Sequence, residues 1–336
     1  MESRMSREQI TELEVAVAAS ERQVGADHPA TLEARVRLAL EYRNHGRNEN
    51  ALAELEQVAA VRDRILAPEH PDTLSAQHEL ALTYFHLSIG NDDARLPDAI
   101  ATMERVAEGR VRVLGPAHPD TLASWASLDL LYGQVQRYDE ARALRERIAA
   151  GWERVVAERE QRLGPDEPDT QFSRIRLASA YGNLGRTNDE RTVLERVIAS
   201  WGRLAAARER RLGPVHPETV DAREHHAYCH RWVGRSKDEV SLVERIAADH
   251  ERLLSPTHPR TLHAQVHLAS RYFEGNHNTA AAIALGERII SDVHTVLGAD
   301  HDDMRNLCAT LILAYATTGR GDDAMALAAR YPLAEE

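Results

Sequence analysis

The sequence predicts an all-α fold, a solenoid of seven tandem helix pairs preceded by one N-terminal helix. Three observations predict it: a turn box that returns seven times, proline confined almost wholly to those boxes, and a second break between them. The boxes read ADHPATL at 26–32, PEHPDTL at 68–74, PAHPDTL at 116–122, PDEPDTQ at 165–171, PVHPETV at 214–220, PTHPRTL at 256–262 and ADHDDMR at 299–305. Their second prolines stand at Pro29, Pro71, Pro119, Pro168, Pro217 and Pro259, with Asp302 last, giving spacings of 42, 48, 49, 49, 42 and 43 residues. Eleven of the 13 prolines lie in the boxes, so the stretches between them are free to be helical.

Each box combines a helix stop with a helix start. In Leu114-Gly115-Pro116, Leu163-Gly164-Pro165 and Leu212-Gly213-Pro214 the glycine suits a left-handed C-terminal turn and the proline cannot continue the helix. The Asp-Thr pair that follows is expected to supply the side-chain oxygen capping the next helix. The second break is Gly-Arg, at Gly46-Arg47, Gly185-Arg186, Gly234-Arg235 and Gly319-Arg320, with Gln136-Arg137 in the third copy. Every repeat is therefore two antiparallel helices. On the first helix a leucine, a small residue and a tyrosine recur, as in Leu38/Ala39/Tyr42, Leu80/Ala81/Tyr84, Leu177/Ala178/Tyr181 and Leu268/Ala269/Tyr272. The small residue admits close approach of the paired helix, and the two large ones fill the seam.

These residues, with Ala51, Ala99, Ala141, Ala281 and Ala324 opening the second helices, resemble the tetratricopeptide repeat, in its 42-residue kinesin light chain-like form. The resemblance covers 24–332 and implies a right-handed superhelical solenoid, one domain over 1–336. Residues 5–23 resemble an unpaired second helix covering the start of the array. Two departures in length are expected: extra residues between the helices of the second repeat (Ile89 to Pro97), and seven extra residues, two helical turns, inside the second helices of the third and fourth. Trp152 and Trp201 fall in equivalent places there.

Composition narrows the partner. Acidic residues outnumber basic ones 53 to 41, a net charge of −12, which disfavours nucleic acid. Lys237 is the single lysine, an arginine bias read as that of a GC-rich bacterial genome. Cys229 and Cys308 sit in separate repeats, and no segment has signal-peptide or membrane-spanning character, so a cytoplasmic protein is expected. No phosphate loop, nucleophile elbow or triad is present, and no cofactor or structural metal is called for.

The resemblance implies that first helices line a partner groove, with residues one repeat apart forming columns across it. One column runs Asn44, His86, Gln134, Asn183, Trp232, Glu274, Thr317. Its four amide or imidazole members resemble the ladder by which family members hold an extended peptide, and an amide matches both groups of a peptide unit. The neighbouring column holds Arg43, Phe85, Arg231 and Phe273, and Phe172 and Arg176 are placed on the same face. An interaction module binding a protein or peptide follows, with arginines for carboxylates and phenylalanines as anchors.

Repeat five departs from the pattern, placing His226 and His230 in the leucine and tyrosine slots. By register these two point into the helix packing, while His225, His263 and His267 face the groove. With Tyr228 they form a candidate pocket for a second reading, an enzyme or a small-molecule or metal sensor; the two histidine sets are not expected to converge. Asp129 stands in a small-residue slot and needs a partner, an arginine of the adjacent helix being the candidate. The last helix carries Ala324, Met325, Leu327 and Ala328, which makes homodimerisation through that end an expectation.

Overall fold

The computed structural model describes residues 4–89, 94–274 and 278–331, and fifteen α-helices follow one another among them. The first is α1 (Arg4–Val24). First helices of the seven pairs are α2 (Pro29–Asn44), α4 (Pro71–Ser88), α6 (Pro119–Gln134), α8 (Pro168–Asn183), α10 (Pro217–Trp232), α12 (Pro259–Glu274) and α14 (Asp302–Thr317). Second helices are α3 (Asn48–Leu66), α5 (Leu96–Leu114), α7 (Tyr138–Arg162), α9 (Thr187–Leu212), α11 (Ser236–Leu253), α13 (Thr279–Leu297) and α15 (Gly321–Arg330). The expected lengthening is present: α7 and α9 have 25 and 26 residues, against 19 in α3 and α5. Part of the extra length in repeat two is absorbed by α4, which has 18 residues where α2 has 16. Residues 90–93 of the expected loop lie outside the described residues.

The chain forms two compact units, residues 1–158 with 179–186, and residues 159–178 with 187–336. In the first, α1 through α6 pack each on the next, around cores that include Leu32, Leu55 and Val58, and Met103, Leu122 and Trp125. In the second, α9 through α15 pack likewise, around Val197 and Trp201 and around Ile289, Leu307 and Leu311.

The boxes start helices by a route other than the one expected. Histidine, not the Asp-Thr pair, is the N-cap. The Nδ1 atoms of His28, His70, His118, His216, His258 and His301 accept from the backbone N–H two residues on, at 3.1–3.3 Å. Proline occupies the next position in all of these but the last, where Asp302 stands, and no N–H is needed there. The threonine is instead buried: Thr31, Thr121 and Thr170 are fully covered and donate to the carbonyls of Gly25, Gly115 and Gly164 at 2.8–2.9 Å. Its hydroxyl thus ties the new helix to the preceding turn.

The Gly-Arg breaks close as Schellman turns. Gly46, Gly185, Gly234 and Gly319 have φ near +70°, and the following arginine N–H reaches the carbonyl of the tyrosine slot, as in Arg47 to Tyr42 at 2.8 Å, with His230 accepting from Arg235 where that slot holds histidine. After α12 the connection is one residue longer. Asn278 bonds Tyr272 and caps α13, which moves the buried alanine from the expected Ala281 to Ala282, 0% exposed.

One polar rung repeats through the chain. The hydroxyls of Tyr42, Tyr84, Tyr132, Tyr181, Tyr272 and Tyr315 each donate to a glutamate 28 residues earlier: Glu14, Glu56, Glu104, Glu153, Glu244 and Glu287, at 2.6–3.2 Å. Arginine caps the ring, with Arg47, Arg137, Arg186 and Arg320 at 4.0–4.5 Å from the tyrosine centroid. Because Glu14 lies on α1, that helix serves repeat one as a second helix serves its successor.

Candidate functional site

Most ladder residues sit at first-helix ends. Asn44, Gln134 and Asn183 are the last residues of α2, α6 and α8, and His86 lies two residues from the end of α4. All four are exposed and belong to the first unit. Asn44 makes a 3.4 Å bond from Nδ2 to Glu41, and the His86 Nδ1 bonds the Leu82 carbonyl at 2.7 Å. Among the described residues the Gln134 and Asn183 side chains bond to nothing. Each ladder member therefore retains donors or acceptors for a partner.

The neighbouring column is less available than expected. Arg43 is only 14% exposed in its side chain and donates to the Glu79 carboxylate at 2.7 Å and carbonyl at 3.3 Å. Its charge is committed inside the protein. Phe85 and Phe273 are half-buried against the cores of their own units. Phe172 does reach solvent, at 45% exposed, with its edge toward Trp201 and His225. Arg176 is exposed, and Arg231 stands 3.7 Å from Glu274. Trp232 and Tyr228 form an exposed aromatic pair at 4.9 Å.

The residues proposed for a histidine pocket separate into two groups. His263 and His267 line a cleft of about 490 Å³ in the second unit, with Glu224, Arg271 and Asp303. His263 bonds the buried Asp303 carboxylate at 2.9 Å, burial pushes the His267 imidazole down to about 4, and burial also raises the Glu224 carboxyl. His225 is elsewhere, stacked on Trp201 at 4.5 Å and bonded to the Asp221 carbonyl at 2.8 Å, and Tyr228 packs on Trp232. Helical geometry explains the split: His225 turns toward the α9 side of its helix, whereas Glu224, one position earlier, turns toward α12.

His226 and His230 do enter the packing. His230 stands in the tyrosine slot, and the position 28 residues earlier is Gly202, not glutamate. A side chain at Gly202 would meet the His226 ring at 3.1 Å, so the missing Cβ is what admits that ring. The two Nε2 atoms are 3.4 Å apart, and burial brings His226 down to about 4 and lowers His230. Among the described residues, no three His, Cys, Asp or Glu side chains form a group that could hold a metal ion.

Sequence reading missed Asp303 and Glu239. Glu239 occupies the slot that is alanine in Ala51, Ala99 and Ala141, is 2% exposed, and faces Arg271 at 3.5 Å. That slot comparison was the available signal. Asp129 finds the expected partner, Arg145, at 2.8 Å.

Comparison with known proteins agrees on repeat type. Residues 31–72 match the tetratricopeptide repeat family model. No curated protein sequence matches. Similar solved structures include kinesin light chain nearly identical TPR-like repeats from Podosopora anserina, 24% identical over 80% of this chain and 97% of that one, TM-score 0.34. BtubC (BKLC) from P. vanneervenii is 14% identical over 70% and 89%, TM-score 0.36. The apo quorum sensor NprR from B. thuringiensis is 12% identical over 97% and 83%, TM-score 0.44.

Proposed function

We propose that this array of tetratricopeptide-type helix pairs is a non-catalytic interaction module that holds an extended segment of a partner protein. The observation that carries the reading is the set Asn44, His86, Gln134 and Asn183: four exposed amide or imidazole groups, at corresponding places on α2, α4, α6 and α8, with hydrogen-bonding capacity to spare. Amides at such spacing pair with the main chain of a segment whatever its sequence. The net charge of −12 favours a basic or zwitterionic partner over nucleic acid.

No described helix is long and apolar enough to cross a membrane. Cys229 and Cys308 are both free and buried, which fits the proposed cytoplasmic setting. Self-association through α15 belongs to the same proposal.

The test is capture of the native partner from cell extract by the full chain and by an Asn44→Ala/Asn183→Ala variant. Retention should fall at least roughly ten-fold, the effect of removing two hydrogen bonds of ~1 kcal/mol each, with an unchanged melting temperature. Undiminished capture by the variant refutes the ladder.

A further inference from the structure

Four repeats are closed by the same arginine. Arg62, Arg110, Arg159 and Arg208, on α3, α5, α7 and α9, each donate through Nη1 to the main-chain carbonyl ten residues on. The acceptors are Asp72 (3.1 Å), Asp120 (2.9 Å), Asp169 (2.9 Å) and Glu218 (2.8 Å). Arg110 and Arg159 add Ser124 and Ser173, both at 2.8 Å, and Arg208 adds the Asp221 carboxylate at 3.4 Å. The guanidinium in each case joins a second helix to the first turn of the helix that follows.

In repeat five the slot holds His250, and the carbonyl ten residues on is that of Arg260. The imidazole is 3% exposed, and neither ring nitrogen has a hydrogen-bond partner. Among the described residues, no side chain donates to the Arg260 carbonyl. Beside His250 lies a cleft of about 250 Å³, walled by Val215 and Val220 and lined also by Asp221, Glu224 and His263. Glu224 makes no ion pair or hydrogen bond to any described residue, and its burial raises the carboxyl. The acceptors of an arginine site are present here without the arginine.

We propose that this cleft is a guanidinium-binding site, filled in trans where the other repeats fill it with their own arginine. The planar fork pairs with the Glu224 carboxylate, and a remaining N–H serves the Arg260 carbonyl. Val215 and Val220 pack the methylene stem. Arg260, which also lines the cleft, carries the competing charge and limits affinity. An arginine on the partner segment and a free guanidinium compound share this chemistry; only the choice of the segment as source rests on the function proposed above.

Calorimetric titration of the full chain with methylguanidinium chloride, at constant ionic strength and with methylammonium chloride as control, reads the site directly. Saturable binding near ~1 mM is expected, weaker by roughly ten-fold or more for methylammonium, which lacks the fork. Glu224→Gln and His250→Arg, the latter filling the cleft from within, should each weaken binding by a similar factor. The Asn44→Ala/Asn183→Ala variant should bind methylguanidinium as the parent does, so failure of the ladder and failure of this site are separable. Absence of saturable binding, equal binding of the two cations, or undiminished binding by folded Glu224→Gln overturns the proposal, whether or not His250→Arg folds. Comparison of agmatine with acetyl-Gly-Arg-Gly-amide then assigns the source: tighter peptide supports a partner segment, tighter agmatine supports the site with a small molecule as its ligand.

Discussion

Single side chains in the turn boxes do more than mark a turn. His118 shows how: its Nδ1 accepts the Asp120 N–H at 3.2 Å, while Pro119 removes the donor that would otherwise be left over. An aliphatic residue there leaves an orphan donor at the start of α6. His118→Ala is therefore expected to destabilise the chain by about 1 kcal/mol, and His118→Asn, which can still accept, by much less. Urea denaturation of the three proteins decides it; a His118→Ala variant as stable as the parent would show that the cap contributes nothing. The histidines of the boxes were legible as structural from their recurrence. Their role as caps was not, because Asp, Thr and His all stand near the helix start and only side-chain direction tells which one faces the free N–H.

Among the elements, α10 breaks the common pattern, and the break has a pH signature. Six tyrosine–glutamate rungs recur, but at α10 His230 and Gly202 replace the pair and His226 replaces a core leucine. His226 is held near 4, below the ordinary 6.5, since burial disfavours its cation. Between those values the unfolded chain binds a proton that the native chain refuses. Stability is thus fully present above about pH 6.5 and is lost as pH falls toward 4, at up to about 1.4 kcal/mol per pH unit for the group. His78 and His267, also brought to about 4, add to the same trend. His226→Leu restores the residue used elsewhere and should flatten the dependence of unfolding free energy on pH between 6.5 and 4. An unaltered slope would assign the acid sensitivity to other groups. Comparing repeats at a spacing of 28 exposes this site from sequence, and that comparison needs only the tyrosine register.

For the molecule as a whole, the array repeats one interface with local substitutions, and its last helix is the least committed part. Among described residues α15 has no fully buried residue within it, and Met325 is 67% exposed. Ala324 and Leu327 do pack on the preceding core, and Tyr331 closes against His294. Less apolar surface is therefore free for self-association than the four residues Ala324, Met325, Leu327 and Ala328 suggest. The surviving expectation is a weak dimer, seen by light scattering as a mass that rises with concentration and is abolished by Met325→Glu. A concentration-independent monomer mass removes the dimer from the proposal.

The sequence by itself determined the repeat number, the helix pairing and the lengthened α7 and α9, since proline, glycine and helical periodicity act within a few residues of chain. It also put Asn44, His86, Gln134 and Asn183 at equivalent positions of successive repeats. Only the tertiary structure decided which of the other candidate side chains are free. Arg43 found Glu79, 36 residues away, Phe85 and Phe273 turned partly into their cores, and His225 stacked on Trp201 while His263 found Asp303. Those choices depend on partners brought close by packing between helices, where charge pairing and burial select one side-chain direction among several that the local chain allows.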